Sequence, residues 1–414
     1  MQYYWSLLRP WFTWGVALLF YLYEFVLRVS PSTMILEWMR DLNLNAGQVG
    51  HLSATYFYAY ALCQIPAGLV VDLYPLRTIL TLTAGLTALG TLTICYALSP
   101  EWAYVGRGII GLGSAFAFVS CLTLAAKQLP LWAFPIAVGL TNLCGVLGGI
   151  LGGGPLAMLI DATSWREALL GLAFIGFVLT LLLFLCVPYV PTHPKTHYHH
   201  IKPALKATLH HPMTWKMALY ASAIVVPITA FVELWGVPFL ILSNGLSKPE
   251  AAFALSCVFI GIGVGGPSIG MLAAKLGAPR WPQLLQAFML STLILFSLII
   301  FYPPTQFIPL IGLLMLYGFC ASHMLLCFTF IKNWHPEFSG TALGFLNMCI
   351  MACGALFQPL MGKLIDKKVT PPELYTLDLW TFQKTLGLLS VVLLGALLLL
   401  TCYIIPHLRK KEAL

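Results

Sequence analysis

Apolar runs long enough to cross a lipid bilayer recur along the chain from Trp11 to Tyr403. A bilayer core needs roughly 20 consecutive apolar residues per helical span, and about twelve runs satisfy that requirement. Because hydrocarbon offers no partner to a backbone N–H or C=O group, each run must be a helix or belong to a closed barrel. The runs are continuous and lack the alternation of barrel strands. The sequence therefore predicts an all-α membrane protein with about twelve transmembrane helices in two six-helix bundles.

A polar stretch rich in proline, histidine and lysine, from Tyr189 to Pro212, divides the spans into two sets. We predict an N-terminal bundle at residues 1–188, a cytoplasmic linker at 189–213 and a C-terminal bundle at 214–414. The predicted spans cover residues 11–37, 46–72, 77–98, 102–126, 132–160, 167–188, 214–242, 250–274, 282–302, 307–331, 339–362 and 380–405.

Charge is scarce and scattered. Only 9% of the residues are charged, against roughly 25% in an ordinary soluble domain, which excludes a water-soluble fold. The net charge of +8 does not form one basic face, so no nucleic-acid partner is predicted. If the N-terminus is cytoplasmic, most lysines and arginines fall on cytoplasmic segments, as the positive-inside rule requires. We therefore expect both termini in the cytoplasm.

The fifth and eleventh predicted spans are similar to each other. Gly139-Leu-Thr-Asn142-Leu-Cys144 matches Gly344-Phe-Leu-Asn347-Met-Cys349 at an offset of 205 positions, and Leu159-Ile160-Asp161 matches Leu364-Ile365-Asp366 at the same offset. A second register, at an offset of 202, pairs Leu44-Asn45 with Leu246-Ser247 ahead of the second and eighth spans. Duplicated halves of this kind enclose a cavity at the membrane midplane that opens alternately to each side. The repeat therefore favours transport.

The segment Gly68-Leu-Val-Val-Asp72-Leu-Tyr-Pro75-Leu76-Arg77 resembles the motif between the second and third spans of the major facilitator superfamily. The resemblance covers essentially the whole chain, although Pro75 and Leu76 depart from the usual glycine and basic residue. It implies a two-bundle fold and a gate formed by Gly68, Asp72 and Arg77, in which Asp72 pairs with a neighbouring helix end and closes the cytoplasmic side. The second copy of this motif has Ala274 in place of the aspartate.

The fourth span carries Arg107-Gly108-Ile-Ile-Gly111-Leu-Gly113, which is similar to the intramembrane arginine motif of the same family. An arginine at this depth costs about 2.5–3.5 kcal/mol even on insertion scales, so it must face a cavity or a partner. Two interpretations stay open: a structural ion pair, or a role in proton coupling.

Glu24 and Arg28 lie four residues apart in the first span and so on one helix face, which Tyr21 shares. Ionisable groups in a membrane span indicate a functional site. We expect this stripe to line the cavity, with Arg28 binding a substrate carboxylate and Glu24 an amine or a proton. The alternative is that Glu24 and Arg28 neutralise each other.

Polar side chains in other spans are further candidates for contact with a substrate. Tyr56, Tyr60 and Gln64 share one face of the second span, and each has a polar end. Asn142 and Asn347 occupy equivalent repeat positions, so both are expected to face the central cavity if either does.

Glu233, followed by Trp235, and His323 occupy apolar runs of the second half. Glu233 is a candidate proton carrier; alternatively, it lies near the outer surface and is hydrated. Trp235 and His323 are candidate substrate contacts, although a lone buried histidine is often only a hydrogen-bonded packing residue.

No cofactor or metal is predicted. The linker histidines, including His193, His197, His199, His200, His210 and His211, have no acidic or cysteine ligand beside them, so we expect a solvated loop. The chain has no phosphate-binding loop for ATP, and its eleven cysteines show no disulfide or metal-binding spacing. Motifs of intramembrane enzymes are also missing, so we predict that the protein is not an enzyme.

We predict a secondary active transporter for a small polar metabolite, with an amino acid or organic anion favoured, coupled to protons through Glu24, Arg107 or Glu233. The first span also resembles that of phagosomal amino-acid transporters of intracellular bacteria. The alternatives are efflux of hydrophobic compounds and a transporter-like sensor that moves nothing. We expect a monomer in the bacterial inner membrane, with the lipid bilayer, a small-molecule substrate and protons as its partners.

Overall fold

The computed structural model describes residues 2–191, 198–366 and 379–412, and all the regular secondary structure in these ranges is helical. In these ranges, eleven helical segments are long and apolar enough to cross a membrane. The helix Ala46–Leu73, at 28 residues, is also long enough to cross but is less apolar. Its polar residues include Tyr56, Tyr60 and Gln64, which are buried inside the protein. The prediction of an all-α membrane protein with twelve transmembrane helices is confirmed.

The helices before the linker run from Gln2 to Cys186. They are α1 (Gln2–Val29), α2 (Ile35–Asp41), α3 (Ala46–Leu73), α4 (Leu76–Cys95), α5 (Pro100–Ser114), α6 (Ala117–Gln128), α7 (Phe134–Gly152), α8 (Gly154–Ala162) and α9 (Trp165–Cys186). The pairs α5–α6 and α7–α8 are each one broken span.

A linker helix, α10 (Tyr198–His210), precedes the second set. The remaining helices are α11 (Pro212–Pro227), α12 (Gly236–Asn244), α13 (Lys248–Leu276), α14 (Trp281–Phe301), α15 (Phe307–Ala321), α16 (Leu325–Trp334), α17 (Ser339–Asp366), α18 (Leu379–Leu399) and α19 (Ile405–Glu412). Between α11 and α12 the chain forms a π-helix, Ile228–Trp235, within one continuous span.

The two helices matched at the 202-position offset, α3 and α13, begin with the same capping arrangement. At α3, the Asn45 side chain accepts the Gln48 N–H and the Gln48 side chain accepts the Asn45 N–H. At α13, Ser247 and Glu250 form the same reciprocal pair. Such a capping box satisfies N–H groups that a helix start leaves free, and fixes the first residue of the helix.

We call the membrane face at the start of α1 the near face and the face that carries α2 the far face. Along α3 and α17, a Cβ on Gly50 would lie 2.6 Å from the Gln358 carbonyl oxygen, and one on Gly354 would lie 3.3 Å from Phe57. At Gly68, closer to the near face, nothing lies within 4 Å. The helices of the two halves are therefore in contact at the far face and diverge toward the near face.

The contact between α8 and α13 is equally close at the far face. A Cβ on Gly153 would overlap the Ser256 hydroxyl, and one on Gly154 would lie 3.1 Å from Phe253. Toward the near face, the Cβ positions of Gly139 and Gly270 have no neighbour within 4 Å. Both inter-half contacts thus close the far face, whereas the near face is open.

The expectation that the linker is a solvated loop is wrong in part, because residues 198–210 form a helix, although most of its described side chains are exposed. In α10, Ala204 and Thr208 are buried against neighbouring helices. Small side chains spaced four apart allow one side of this helix to pack against the protein. His193 and His197, and the side chains of His199 and His200, lie outside the described residues.

Candidate functional site

Arg28 of α1 and Glu233 of the π-helix form an ion pair between the two halves of the chain. Arg28 Nη2 lies 2.9 Å from Glu233 Oε1, and Arg28 Nε donates to Oε2 at 3.2 Å. Arg28 is 8% exposed and Glu233 1% exposed, so the interpretation of Glu233 as a hydrated surface residue is wrong. An isolated charge is costly in a low-dielectric interior, so each group depends on the other.

Aromatic rings complete the surroundings of the Arg28 guanidinium. Its Cζ lies 4.9 Å from the centre of the Phe25 ring and 5.4 Å from that of Phe57. Rings attract a cation through their negative faces but form no hydrogen bond with it. The guanidinium therefore keeps its position between α1 and α3 while its hydrogen bonds are directed at Glu233.

The π-helix that carries Glu233 starts directly after Pro227, and all eight of its residues are buried. Proline has no backbone N–H and disturbs the regular hydrogen bonding of the helix around it. A π segment inserts extra residues per turn, so it changes the direction of the side chains that follow, and such segments are frequent at functional sites. Hydropathy alone carries no signal for this irregularity.

Glu24 pairs with a tyrosine and not with Arg28. The Tyr56 hydroxyl donates to Glu24 Oε2 at 2.8 Å, and the Tyr56 ring stacks on Tyr60 with 5.6 Å between ring centres. Within the described ranges, no ion pair joins Glu24 to Arg28. The interpretation of these two residues as a self-contained neutral pair is therefore wrong, although both line the same buried site.

Arg107 lies behind Tyr56 and is bound by backbone oxygens. Nη1 donates to the Leu27 carbonyl at 2.9 Å and Nη2 to the Ser53 carbonyl at 3.3 Å, which ties α5 to α1 and α3. Its Cζ lies 5.1 Å from the centre of the Tyr56 ring. At 1% exposure it contacts neither Glu24 nor Glu233 directly. This geometry favours a positioning role over a direct exchange of protons.

Gln64 and Asn347 form a polar contact between the halves on the way from the buried ion pair to the near-face opening. Asn347 Nδ2 donates to Gln64 Oε1 at 2.7 Å. Gln64 is 6% exposed, and its Nε2 has no hydrogen-bond partner in the described part of the chain. A buried donor without a partner is unfavourable, so this amide is suited to a polar group of a bound solute.

The repeat-related Asn142 has a different environment. It is exposed, and its side-chain nitrogen donates to Val138 O within α7. Val146 and Gly149, one and two turns further on that face, contact α13. Asn142 thus lies where α7 and α13 have already diverged. Tyr21, by contrast, packs on Phe118 at 5.4 Å and on Gly145.

Trp235 and His323 occupy closed, fully hydrogen-bonded positions. The Trp235 indole N–H donates to the Gln358 carbonyl at 3.0 Å. His323 Nε2 lies 2.9 Å from the Tyr220 hydroxyl, and Nδ1 lies 2.6 Å from the Cys320 carbonyl. Both residues are 0% exposed. Their expected contact with a substrate is not present in this conformation, and the packing interpretation of His323 fits its partners.

Two residues of the motif assigned to the near-face gate, Gly68 and Arg77, can be placed relative to their neighbours. The Cβ position of Gly68 has no neighbour within 4 Å, and Arg77 stacks on Phe184 of α9, 4.2 Å from the ring centre. The side chain of Asp72 lies outside the described part of the structure. The positions of Gly68 and Arg77 agree with halves that diverge on this side.

A histidine cluster lies at the near face, outside the membrane spans. The Thr214 hydroxyl lies 2.7 Å from His335 Nε2 and 3.2 Å from His211 Nδ1, and the two imidazole centres are 5.1 Å apart. Burial lowers the pKa of His335. No group of three or more potential metal ligands occurs in the described ranges.

Residues 13–357 match the family profile described as Major Facilitator Superfamily. The chain belongs to this superfamily. Membership of the major facilitator superfamily accounts for the two-bundle helical fold and agrees with the resemblance found at Gly68–Arg77.

Three curated relatives match parts of this superfamily member. They are a probable sulfoacetate transporter, SauU, of Cupriavidus necator (26% identical; 41% of this chain and 39% of the relative), a galacturonate transporter of Dickeya chrysanthemi (27%; 45% and 52%) and a hexuronate transporter of Bacillus subtilis (23%; 55% and 56%). The aligned segments span well under two thirds of each relative's length.

Solved structures of this superfamily share the fold over nearly the whole chain. A bacterial homologue of the human lysosomal transporter Spinster, inward-facing and unoccupied, superimposes with a TM-score of 0.76 at 16% identity, covering 95% of this chain and 96% of that one. The nucleoside transporter NupG gives a TM-score of 0.71 at 12% identity, covering 94% and 98%. At these identities the likeness concerns the fold alone.

Proposed function

We propose that this protein is a secondary active transporter that moves a small organic anion together with a proton by alternating access. The observation that carries the proposal is the buried Arg28–Glu233 ion pair, which joins two halves that are closed at the far face and open at the near face. Of the two substrate classes that the sequence favoured, an amino acid or an organic anion, the relatives named for sulfoacetate, galacturonate and hexuronate support the organic anion.

Charge balance would couple the uptake of a proton to the binding of the anion. While Glu233 is ionised, it occupies Nε and Nη2 of Arg28, and the pair carries no net charge. A substrate carboxylate that displaced it would leave two anions against one buried cation. If Glu233 takes up a proton, Arg28 is free to bind the carboxylate, and the net charge of the site stays zero. One proton therefore enters with each monoanion, and this step is electroneutral.

Other polar groups would fix the orientation of the solute. The buried, unpartnered Nε2 of Gln64 and the exposed amide of Asn142 would suit the hydroxyl or carbonyl groups of a sugar acid. Tyr56 holds one oxygen of Glu24, so Glu24 is a second candidate proton acceptor. Arg107 would position Tyr56.

The test is uptake of labelled solutes into proteoliposomes, with and without an inward proton gradient. The panel contains a hexuronate, sulfoacetate and one zwitterionic amino acid. We expect the gradient to stimulate uptake of an acid, R28A to abolish it, and E233Q to retain exchange but lose stimulation. The exposed Glu337 supplies the matched control, E337Q, which should behave like the parent. Uptake of the amino acid alone, or parental uptake by R28A, would refute the proposal.

We further propose that the near face is cytoplasmic and that the protein lies in a bacterial inner membrane as a monomer. The distribution of lysine and arginine supports this orientation. A reporter that is active only in the cytoplasm, fused after Val190, should be active; one fused after Ser99, between α4 and α5, should be silent. The reverse pattern would overturn the orientation.

A further inference from the structure

Asp161 and Asp366 are related by the 205-position repeat, and the proposed transport cycle gives neither of them a role. Both lie at the far face: Asp161 in the last turn of α8 and Asp366 at the end of α17. Each is the final residue of the matched Leu-Ile-Asp triplet.

Asp366 binds the start of α3, a helix of the other half. Its carboxylate oxygens accept the Ala46 N–H at 2.8 Å and the Gly47 N–H at 2.5 Å. These N–H groups have no acceptor within their own helix, and a helix N-terminus carries partial positive charge, so a carboxylate is a favourable partner.

Asp161 binds the start of α13, the repeat counterpart of α3, also in the other half. Lys248 is the first residue of α13, and its Nζ lies 2.6 Å from Asp161 Oδ1. The same Nζ lies 2.6 Å from Glu37 Oε1 of α2. In both contacts, an aspartate of one half thus reaches the first turn of a capped helix of the other. One contact uses backbone N–H groups, and the other a lysine ammonium.

We propose that these two contacts are a matched pair of latches that hold the far face closed, and that the far side opens only when both have released. They join opposite halves, so they exist only while those halves are in contact. Beside them lies a cavity of about 10 Å³, lined by Thr33, Val237 and Lys248 among others. It is barely large enough for one water molecule.

The two latches are unequal in strength. The Asp161 side chain is 43% exposed, and an ion pair in contact with solvent contributes little. Asp366 is only partly exposed and satisfies two N–H groups of one helix end. Removal of the Asp366 carboxylate should therefore shift the population toward the far-open state more than removal of the Asp161 carboxylate.

The test measures accessibility and does not depend on substrate or transport, so its outcome is independent of the proposed function. A cysteine replaces Thr33 at the far-face cavity, or Gly68 at the near-face opening, in the full chain purified in detergent. The rate of modification by a charged methanethiosulfonate reagent is measured against the parent, which corrects for native cysteines. D366A should raise the rate at the far-face cysteine roughly tenfold, and D161A roughly twofold.

In each variant, the near-face cysteine should react no faster than in the parent, because a shift between two folded states closes one side as the other opens. E167A, which removes an exposed far-face carboxylate of α9 that joins no opposite half, should leave both rates unchanged. An unchanged far-face rate in D366A would overturn the proposal. A parallel rise at both faces would overturn it too, because that result indicates general loosening.

Discussion

Arg28 of the first half and Glu233 of the second half are 205 positions apart in the chain, and their side chains meet at 2.9 Å. One half supplies the cation and the other the anion. The contact between the halves is therefore a neutral pair, where two like charges would have repelled each other.

Removing one partner of this pair should cost more than removing both. R28M leaves the Glu233 carboxylate buried without its cation and should lower the free energy of unfolding by about 3–5 kcal/mol. The double variant R28M/E233L should recover most of that loss, since neither charge is left buried. Denaturant unfolding of the four proteins in detergent forms the cycle. Losses that simply add would show that the pair is not a stabilising unit.

The hydroxyl of Tyr56 should matter more than its ring. Y56F keeps the stacking on Tyr60 and the ring beside Arg107 but removes the donor to Glu24. We expect it to destabilise the protein by about 1.5–3 kcal/mol. Tyr58 on the same helix is exposed, so Y58F should change stability by less than roughly 0.5 kcal/mol. Equal effects of the two variants would contradict the assigned bond.

Two glycines of α5 should respond oppositely to alanine. A Cβ on Gly111 would overlap the Tyr56 carbonyl oxygen, a backbone atom that cannot move aside, so G111A should cost about 1–3 kcal/mol. On Gly108 the nearest atom is Thr55 Cγ2 at 3.6 Å, an ordinary contact. G108A should therefore be neutral or stabilise the helix by up to about 1 kcal/mol. Melting temperatures in detergent decide between them, and a tolerated G111A would rule out the close α3–α5 contact.

Acid should weaken the histidine cluster at the near face. Because burial lowers the pKa of His335, the unfolded chain binds more protons than the folded protein just below its ordinary pKa of about 6.5. Stability present above that pH is lost as the pH falls through the lowered folded pKa. Thermal unfolding measured from pH 7.5 to 5 should show this loss in the parent and less of it in H335Q.

The matched control for that series is H210Q, since His210 is an exposed histidine near the same face. Its pH profile should follow that of the parent. A loss of stability in acid that persisted unchanged in H335Q would assign it to other groups.

The sequence by itself determined the membrane fold and indicated the duplication, and it marked the ionisable side chains within the spans, although it left the depth of Glu233 open. A continuous apolar run of this length crosses hydrocarbon as a helix, because every backbone polar group must be satisfied within the chain. The same condition made Glu24, Arg28, Arg107 and Glu233 stand out, since a charge at that depth requires a partner. Spacing of four residues placed Glu24 and Arg28 on one helix face, and both do reach the same site.

Only the tertiary structure decided which partner each group takes. Local spacing suggested that Glu24 pairs with Arg28. Packing within the first half instead placed Glu24 against Tyr56, and packing between the halves placed Arg28 against Glu233. Asp366 accepts a hydrogen bond from the start of α3, more than 300 positions earlier in the chain. Helical periodicity fixes the direction of a side chain relative to the axis of its own helix. The angle and depth at which two helices meet, and the irregular turns within them, arise from packing. That packing determines which charged groups come within bonding distance.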